Sequence, residues 1–93
     1  MLRLYAHEKP KRSKLEIYLD VLHVIKRGEH KPTRIMYAAN LSWSPLSKVL
    51  NSLIDQELIK ENDDGERTRY EITEKGEIVL RYFEKTRELI MVA

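Results

Sequence analysis

The chain has no cysteine. That excludes a disulfide framework, a thiolate metal site and a cysteine nucleophile, and it does not fit a stapled secreted miniprotein. Glycine is scarce, and Gly28, Gly65 and Gly76 are scattered, so no glycine-rich loop is present to cradle a phosphate. No unbroken apolar run exceeds five residues, far below the roughly 18 that a membrane span requires. The first ten residues carry charges and a proline rather than an apolar signal core. The expectation is a soluble, cytoplasmic protein that does not engage a membrane. His7, His23 and His30 never stand at i, i+4 and lack ligand-type neighbours, so no metal site is expected. No serine occupies a nucleophile elbow, and the acid pair Asp63-Asp64 falls on a turn, where carboxylates are solvated rather than tuned for catalysis. The chain is expected to need no cofactor and not to be an enzyme.

A large excess of either charge is also missing. Seventeen basic residues stand against 15 acidic ones, for a net of +2, too small to argue nucleic-acid binding by itself. The distribution is more informative. Met1 to Lys14 holds Arg3, Lys9, Lys11, Arg12 and Lys14 against the single acid Glu8, while the remainder is net negative. Within that remainder, His30 to Ile54 contains Lys31, Arg34 and Lys48 and no acid at all. At 93 residues and 42% hydrophobic content, the chain makes one small domain with enough apolar material for a core.

Ser13 to Arg27 reads as a first helix. Ser13 and Glu16 form a capping-box pattern, and Leu15, Tyr18, Leu19, Leu22 and Ile25 recur at helical spacing. Gly28 ends it, and Lys26 and Arg27 suit its negative end. A short second helix spans Pro32 to Ala39, with Ile35, Met36 and Ala39 inward and Asn40 as the exit. After a tight turn at Leu41, Ser42 or Ser44 caps a third helix running to about Asp55. Leu46, Val49, Leu50, Leu53 and Ile54 form its apolar stripe, and Ser44, Ser47, Lys48 and Asn51 its polar face. Strands at Leu58 to Glu61 and Arg67 to Ile72 flank a turn containing Asp64-Gly65, with Thr68, Tyr70 and Ile72 on one side and Arg67, Arg69 and Glu71 on the other. Thr73 caps a final helix from Glu74 to the end.

The order is helix, helix, tight turn, helix, hairpin, helix. The fold class is therefore mostly α with a small β-hairpin: a winged helix-turn-helix with an added C-terminal helix. Residues 1–12 form a basic N-terminal segment, residues 13–73 the winged helix-turn-helix domain and residues 74–93 a dimerisation helix.

Ser13-Lys14-Leu15-Glu16-Ile17 and, more specifically, Thr33-Arg34-Ile35-Met36-Tyr37-Ala38-Ala39-Asn40-Leu41-Ser42 carry a family likeness. On these stretches the chain resembles the small archaeal winged-helix DNA-binding proteins that dimerise through a C-terminal coiled-coil helix. The likeness covers most of Ser13 to Phe83. It implies non-specific or weakly specific binding to double-stranded DNA, or transcriptional control, as a homodimer. It also implies DNA contact by residues corresponding to Lys31, Arg34, Ser44, Ser47, Lys48, Arg67 and Arg69. The family's final helix is often longer. Here 20 residues follow Thr73, roughly 30 Å of helix.

Each candidate has a competing structural reading. Ser44, Ser47, Lys48 and Asn51 either meet bases and phosphates or form a plain solvated face. Arg67 and Arg69 either reach DNA or pair across the hairpin with Glu61 or Glu66, and the acidic tip (Asp63, Asp64, Glu66) argues against deep insertion. Lys9, Lys11, Arg12 and Lys14 form either a phosphate-tracking arm or a start whose charge only aids solubility. Arg34 binds phosphate or pairs with an acid such as Asp55. Trp43 faces the groove or, following the general burial tendency of tryptophan, packs into the core or turn. In the last helix, Val79, Phe83, Thr86 and Ile90 follow heptad-like spacing, widened by Ile78, Tyr82 and Leu89. Val79, Tyr82, Phe83, Thr86, Leu89 and Ile90 are expected at a dimer interface. The function expected is duplex DNA binding as a homodimer, in regulation or chromatin organisation. The alternative is a winged helix used as a protein-interaction module.

Overall fold

A computed structural model describes residues 12–91. Four helices and one hairpin follow in the expected order: α1 (Lys14–Lys26), α2 (Pro32–Ala39), α3 (Trp43–Asp55), β1 (Ile59–Asp63), β2 (Thr68–Ile72) and α4 (Glu74–Met91).

Local chemistry sets each boundary. At the start of α1 the Ser13 hydroxyl accepts from the Glu16 N–H, and the Glu16 carboxylate accepts from the Ser13 N–H, both at 3.1 Å. This reciprocal pair satisfies two backbone donors that the first helical turn leaves free. The Ser13 backbone N–H, followed by its hydroxyl, holds the Glu16 carboxyl below its ordinary pKa. Helix α1 exits through Gly28 at φ 110°. Helix α2 exits through Asn40 at φ 55°, where the Leu41 N–H donates back to Met36 O. Helix α3 ends in the same way, with the Glu57 N–H bonded to Ile54 O and the Leu58 N–H to Leu53 O. Its left-handed residue is Glu57, at φ 62°, rather than a glycine. Ser42 is the cap residue of α3, with no side-chain bond, and Pro45 lies harmlessly in the first turn.

Among the described residues no charged side chain is buried, and the core is built of aliphatic residues with Tyr70. Helix α1 is its centre and packs against α2, α3, β2 and α4. This is why Val21 and Val24 are buried along with the expected Leu19, Leu22 and Ile25. Leu15, expected on that face, is exposed instead, in the first turn of α1. Ile35 and Ala39 from α2 and Leu46, Val49, Leu50 and Leu53 from α3 complete the helical part as their spacing predicts.

The hairpin is antiparallel, with Ile59 opposite Ile72, Glu61 opposite Tyr70 and Asn62 opposite Arg69. Strand β1 is shifted relative to the Leu58 to Glu61 expected, running to Asp63, and Arg67 falls outside β2. Side chains at the tip tighten the turn. Asp64 Oδ1 accepts from the Glu66 and Arg67 N–H groups, and Asp63 Oδ1 accepts from Gly65. Gly65 supplies the positive φ of 93°. The Arg67 and then Glu66 backbone bonds hold the Asp64 carboxyl below its usual range.

Helix α4 docks through residues that the heptad reading passed over. Thr73 caps it, accepting from the Gly76 N–H at 3.0 Å and donating to Glu57 O at 2.7 Å. Gly76 lies against the Leu58 carbonyl, and Leu80 inserts into the core. Val79, expected at a dimer interface, is half-buried against this same core. Among the described residues no helix is long and apolar enough to cross a membrane.

Candidate nucleic-acid interface

The polar face of α3 is built by its own periodicity. Burying Leu46, Val49, Leu50 and Leu53 turns Ser44, Lys48 and Asn51 to the opposite side, where all three are exposed, with Ser47 half-buried on the flank. No carboxylate occurs on this helix before Asp55 at its last position. Lys31 and Arg34 are exposed at the start of α2, and Tyr37 projects from α2 at 88% exposure. Among the described residues Arg34 forms no ion pair; the pairing with Asp55 considered from the sequence is absent there.

The wing is fastened to this surface by His30, which the sequence reading considered only as a metal ligand. The Tyr70 N–H donates to the His30 carbonyl at 2.9 Å, and His30 Nδ1 lies 2.8 Å from the Tyr70 carbonyl. A carbonyl only accepts, so the imidazole proton sits on Nδ1. This double link joins the middle of β2 to the segment entering α2. It places Lys31 and Arg69 one residue from the same junction. Arg69 lies on the outer face of the hairpin with Lys60, Asn62 and Glu71, while Tyr70 and Ile72 face inward. The cross-strand neighbour of Arg69 is Asn62, not Glu61 or Glu66. Glu61 instead accepts from the Tyr70 hydroxyl at 3.0 Å. Burial, and then this carboxylate, push the Tyr70 phenol up to about 12. Arg67 is exposed at the end of the turn.

Arg12 has a different role from the arm expected of it. Its guanidinium donates to Asp20 at 3.0 Å, to the Ala39 carbonyl at 2.7 Å and to the Asn40 carbonyl at 3.0 Å. It thereby covers the carbonyl end of α2 and ties α1 to α2. Its side chain is held at the exit of α2 and to α1 rather than extended as a free arm. Lys14 Nζ lies 6.0 Å from the centre of the Tyr18 ring, within cation–π range. Lys9 and Lys11 lie outside the described residues.

Of the expected dimer residues, Val79 packs on the core, while Tyr82, Phe83, Thr86, Leu89 and Ile90 are exposed along α4. Tyr82, Leu89 and Ile90 are 71%, 72% and 70% exposed. Phe83, Thr86 and Ile90 line an apolar groove against Leu15 and Leu19 of α1. The Thr86 hydroxyl donates to the Tyr82 carbonyl. Among the described residues no group of three or more His, Asp or Glu side chains is placed to hold a metal ion.

Residues 11–91 match the winged helix-turn-helix family model. The uncharacterized protein MJ0287 of Methanocaldococcus jannaschii is 47% identical over 66 residues, which cover 71% of this chain and 64% of that relative's length. Among solved structures, Sso10a-2, a DNA-binding protein from Sulfolobus solfataricus, superposes with a TM-score of 0.69 at 29% identity, covering 85% of each chain. Lactococcus lactis ZitR in complex with DNA superposes with a TM-score of 0.67 at 21% identity, covering 94% of this chain and 68% of that one. The second likeness is one of fold alone.

Proposed function

Since this chain belongs to the winged helix-turn-helix family, we propose that it binds double-stranded DNA as a homodimer, in transcriptional regulation or DNA organisation. The observation that carries this reading is the exposed face of α3. In a chain where acids are nearly as numerous as bases, this face offers Ser44, Lys48 and Asn51 with no carboxylate until Asp55. Lys31 and Arg34 extend the same charge sign along α2, and the His30–Tyr70 link joins the segment entering α2 to the strand that carries Arg69. Such a surface suits a helix seated in the major groove, with lysine and arginine on the flanking phosphates. The similar fold of a DNA-binding protein, Sso10a-2, supports it.

The dimer rests on α4. Tyr82, Leu89 and Ile90 present an apolar surface that the domain itself leaves in water, and exposed patches of that kind mark association sites. A second copy packing there would set two reading helices at a fixed spacing.

Exchanging Lys48→Glu tests the DNA face. It places a carboxylate against phosphate and is expected to weaken duplex binding at least tenfold in a fluorescence anisotropy titration, with the thermal midpoint unchanged. Undiminished affinity would remove α3 from the interface and favour a protein-interaction role. Light scattering at tens of micromolar tests the dimer, which a concentration-independent monomer mass would refute.

A further inference from the structure

Trp43 is the sole tryptophan in the chain and opens α3 at its first helical position. It belongs neither to the buried core nor to the half-buried residues packed on it, and 48% of it is open to solvent. Of the readings open from the sequence, full burial in the core is the one the fold does not adopt. Exposure leaves much of the indole's apolar surface in water, and tryptophan is among the side chains that lose most by it.

Its position on the helix is specific. Residues four apart on a helix form one ridge. Trp43, Ser47 and Asn51 are consecutive members of such a ridge, so the indole heads the line that contains two of the candidate base-reading side chains. In a helix-turn-helix, the N-terminal residues of the reading helix go deepest toward base edges. The segment around Trp43 carries no acid from His30 to Ile54, so nothing there repels phosphate.

For an aromatic surface at that depth, the prominent apolar partner on the base edges of the major groove is the C5-methyl of thymine. The other groups that distinguish the base pairs there are hydrogen-bond donors and acceptors. We propose that Trp43 is a specificity-determining residue that covers thymine methyl groups, biasing an otherwise backbone-driven contact toward T-containing steps. The proposal rests on the duplex-binding reading above and adds a base preference to it.

The test leaves the protein intact. A labelled mixed-sequence duplex is compared with the same duplex carrying deoxyuridine at every thymine, which deletes only the methyl groups. Anisotropy of the labelled DNA gives both affinities for the wild type and for Trp43→Ala. The deoxyuridine duplex is expected to bind wild type about fourfold more weakly for each methyl covered, the worth of one buried CH₂. Trp43→Ala is expected to bind both duplexes equally. The salt slope should be the same for both duplexes, because the phosphates are unchanged. Tryptophan emission should shift on saturation with the thymine duplex. Equal wild-type affinity for the two duplexes overturns the assignment while leaving duplex binding in place. So does a methyl preference that persists undiminished in Trp43→Ala. Failure to bind either duplex at low salt overturns the duplex reading, and this inference with it.

Discussion

Gly76→Ala would normally stabilise a helix, since alanine is favoured over glycine in a helix interior by about 1 kcal/mol. Here the opposite is expected. A Cβ at position 76 would lie 2.1 Å from the Leu58 carbonyl oxygen and 2.7 Å from Ile72 Cγ1. An ordinary carbon–oxygen approach is about 3.3 Å, so one partner must retreat by more than an ångström. Neither has an easy route. The Leu58 N–H is bonded to Leu53 O at 2.9 Å, and its carbonyl accepts from the Thr73 N–H at 3.0 Å. The Thr73 hydroxyl in turn holds both Glu57 O and the Gly76 N–H. Moving α4 outward would also withdraw Leu80 from the core. Overpacking of this kind costs about 1–3 kcal/mol. For a domain of this size that lowers the thermal midpoint by about 4–8 °C per kcal/mol. Circular dichroism melts at one fixed protein concentration measure it, since a dimer makes the midpoint concentration-dependent. A variant as stable as the wild type would refute the account of how α4 is seated.

Three further outcomes follow from named contacts. Glu57→Gly relieves a left-handed residue at the end of α3 and keeps the backbone bonds there, so urea unfolding should show a gain of about 1 kcal/mol; a loss would contradict the strain. Arg12→Ala removes two carbonyl bonds and a half-exposed ion pair and should cost about 1–2 kcal/mol. A double-mutant cycle with Asp20→Asn should assign less than about 1 kcal/mol of that to the pair. The Glu16 carboxyl is held below its ordinary pKa by the Ser13 cap, so its contribution is present above its unfolded value and fades as pH falls through the folded one. Glu16→Gln should therefore lose less thermal stability than wild type between roughly pH 5 and pH 3; identical acid sensitivity would show that the capping box does not titrate as described.

Much of this fold is legible in periodicity. Ile35, Met36 and Ala39, and then Leu46, Val49, Leu50 and Leu53, are inward because their spacing allows nothing else once the helices exist. Ser13, Gly28, Asn40 and Thr73 mark helix ends because their chemistry satisfies free backbone groups locally. What could not be read depends on partners far away in sequence. In the sequence Arg12 reads as part of a basic arm, because nothing nearby announces the Ala39 and Asn40 carbonyls that it meets. His30 had no local signal for its bond to Tyr70, forty residues on. Heptad spacing points to Val79 as an interface residue and passes over Gly76 and Leu80, although Gly76 and Leu80 stand four apart and, with Val79, supply the docking side of α4. For Trp43, burial tendency describes a residue type, and the structure leaves the indole half-exposed at the start of α3 rather than in the core.

The central claim is that α2, α3 and the wing form a surface for duplex DNA. Anisotropy of a labelled mixed-sequence duplex across a salt series tests it most directly. Lys31, Arg34, Lys48, Arg67 and Arg69 are all exposed. If each neutralises one phosphate, log affinity should fall linearly against log salt with a slope of about −4 to −5 per chain, and about twice that for a dimer. Absence of binding at low salt, or an affinity indifferent to salt, would contradict the claim.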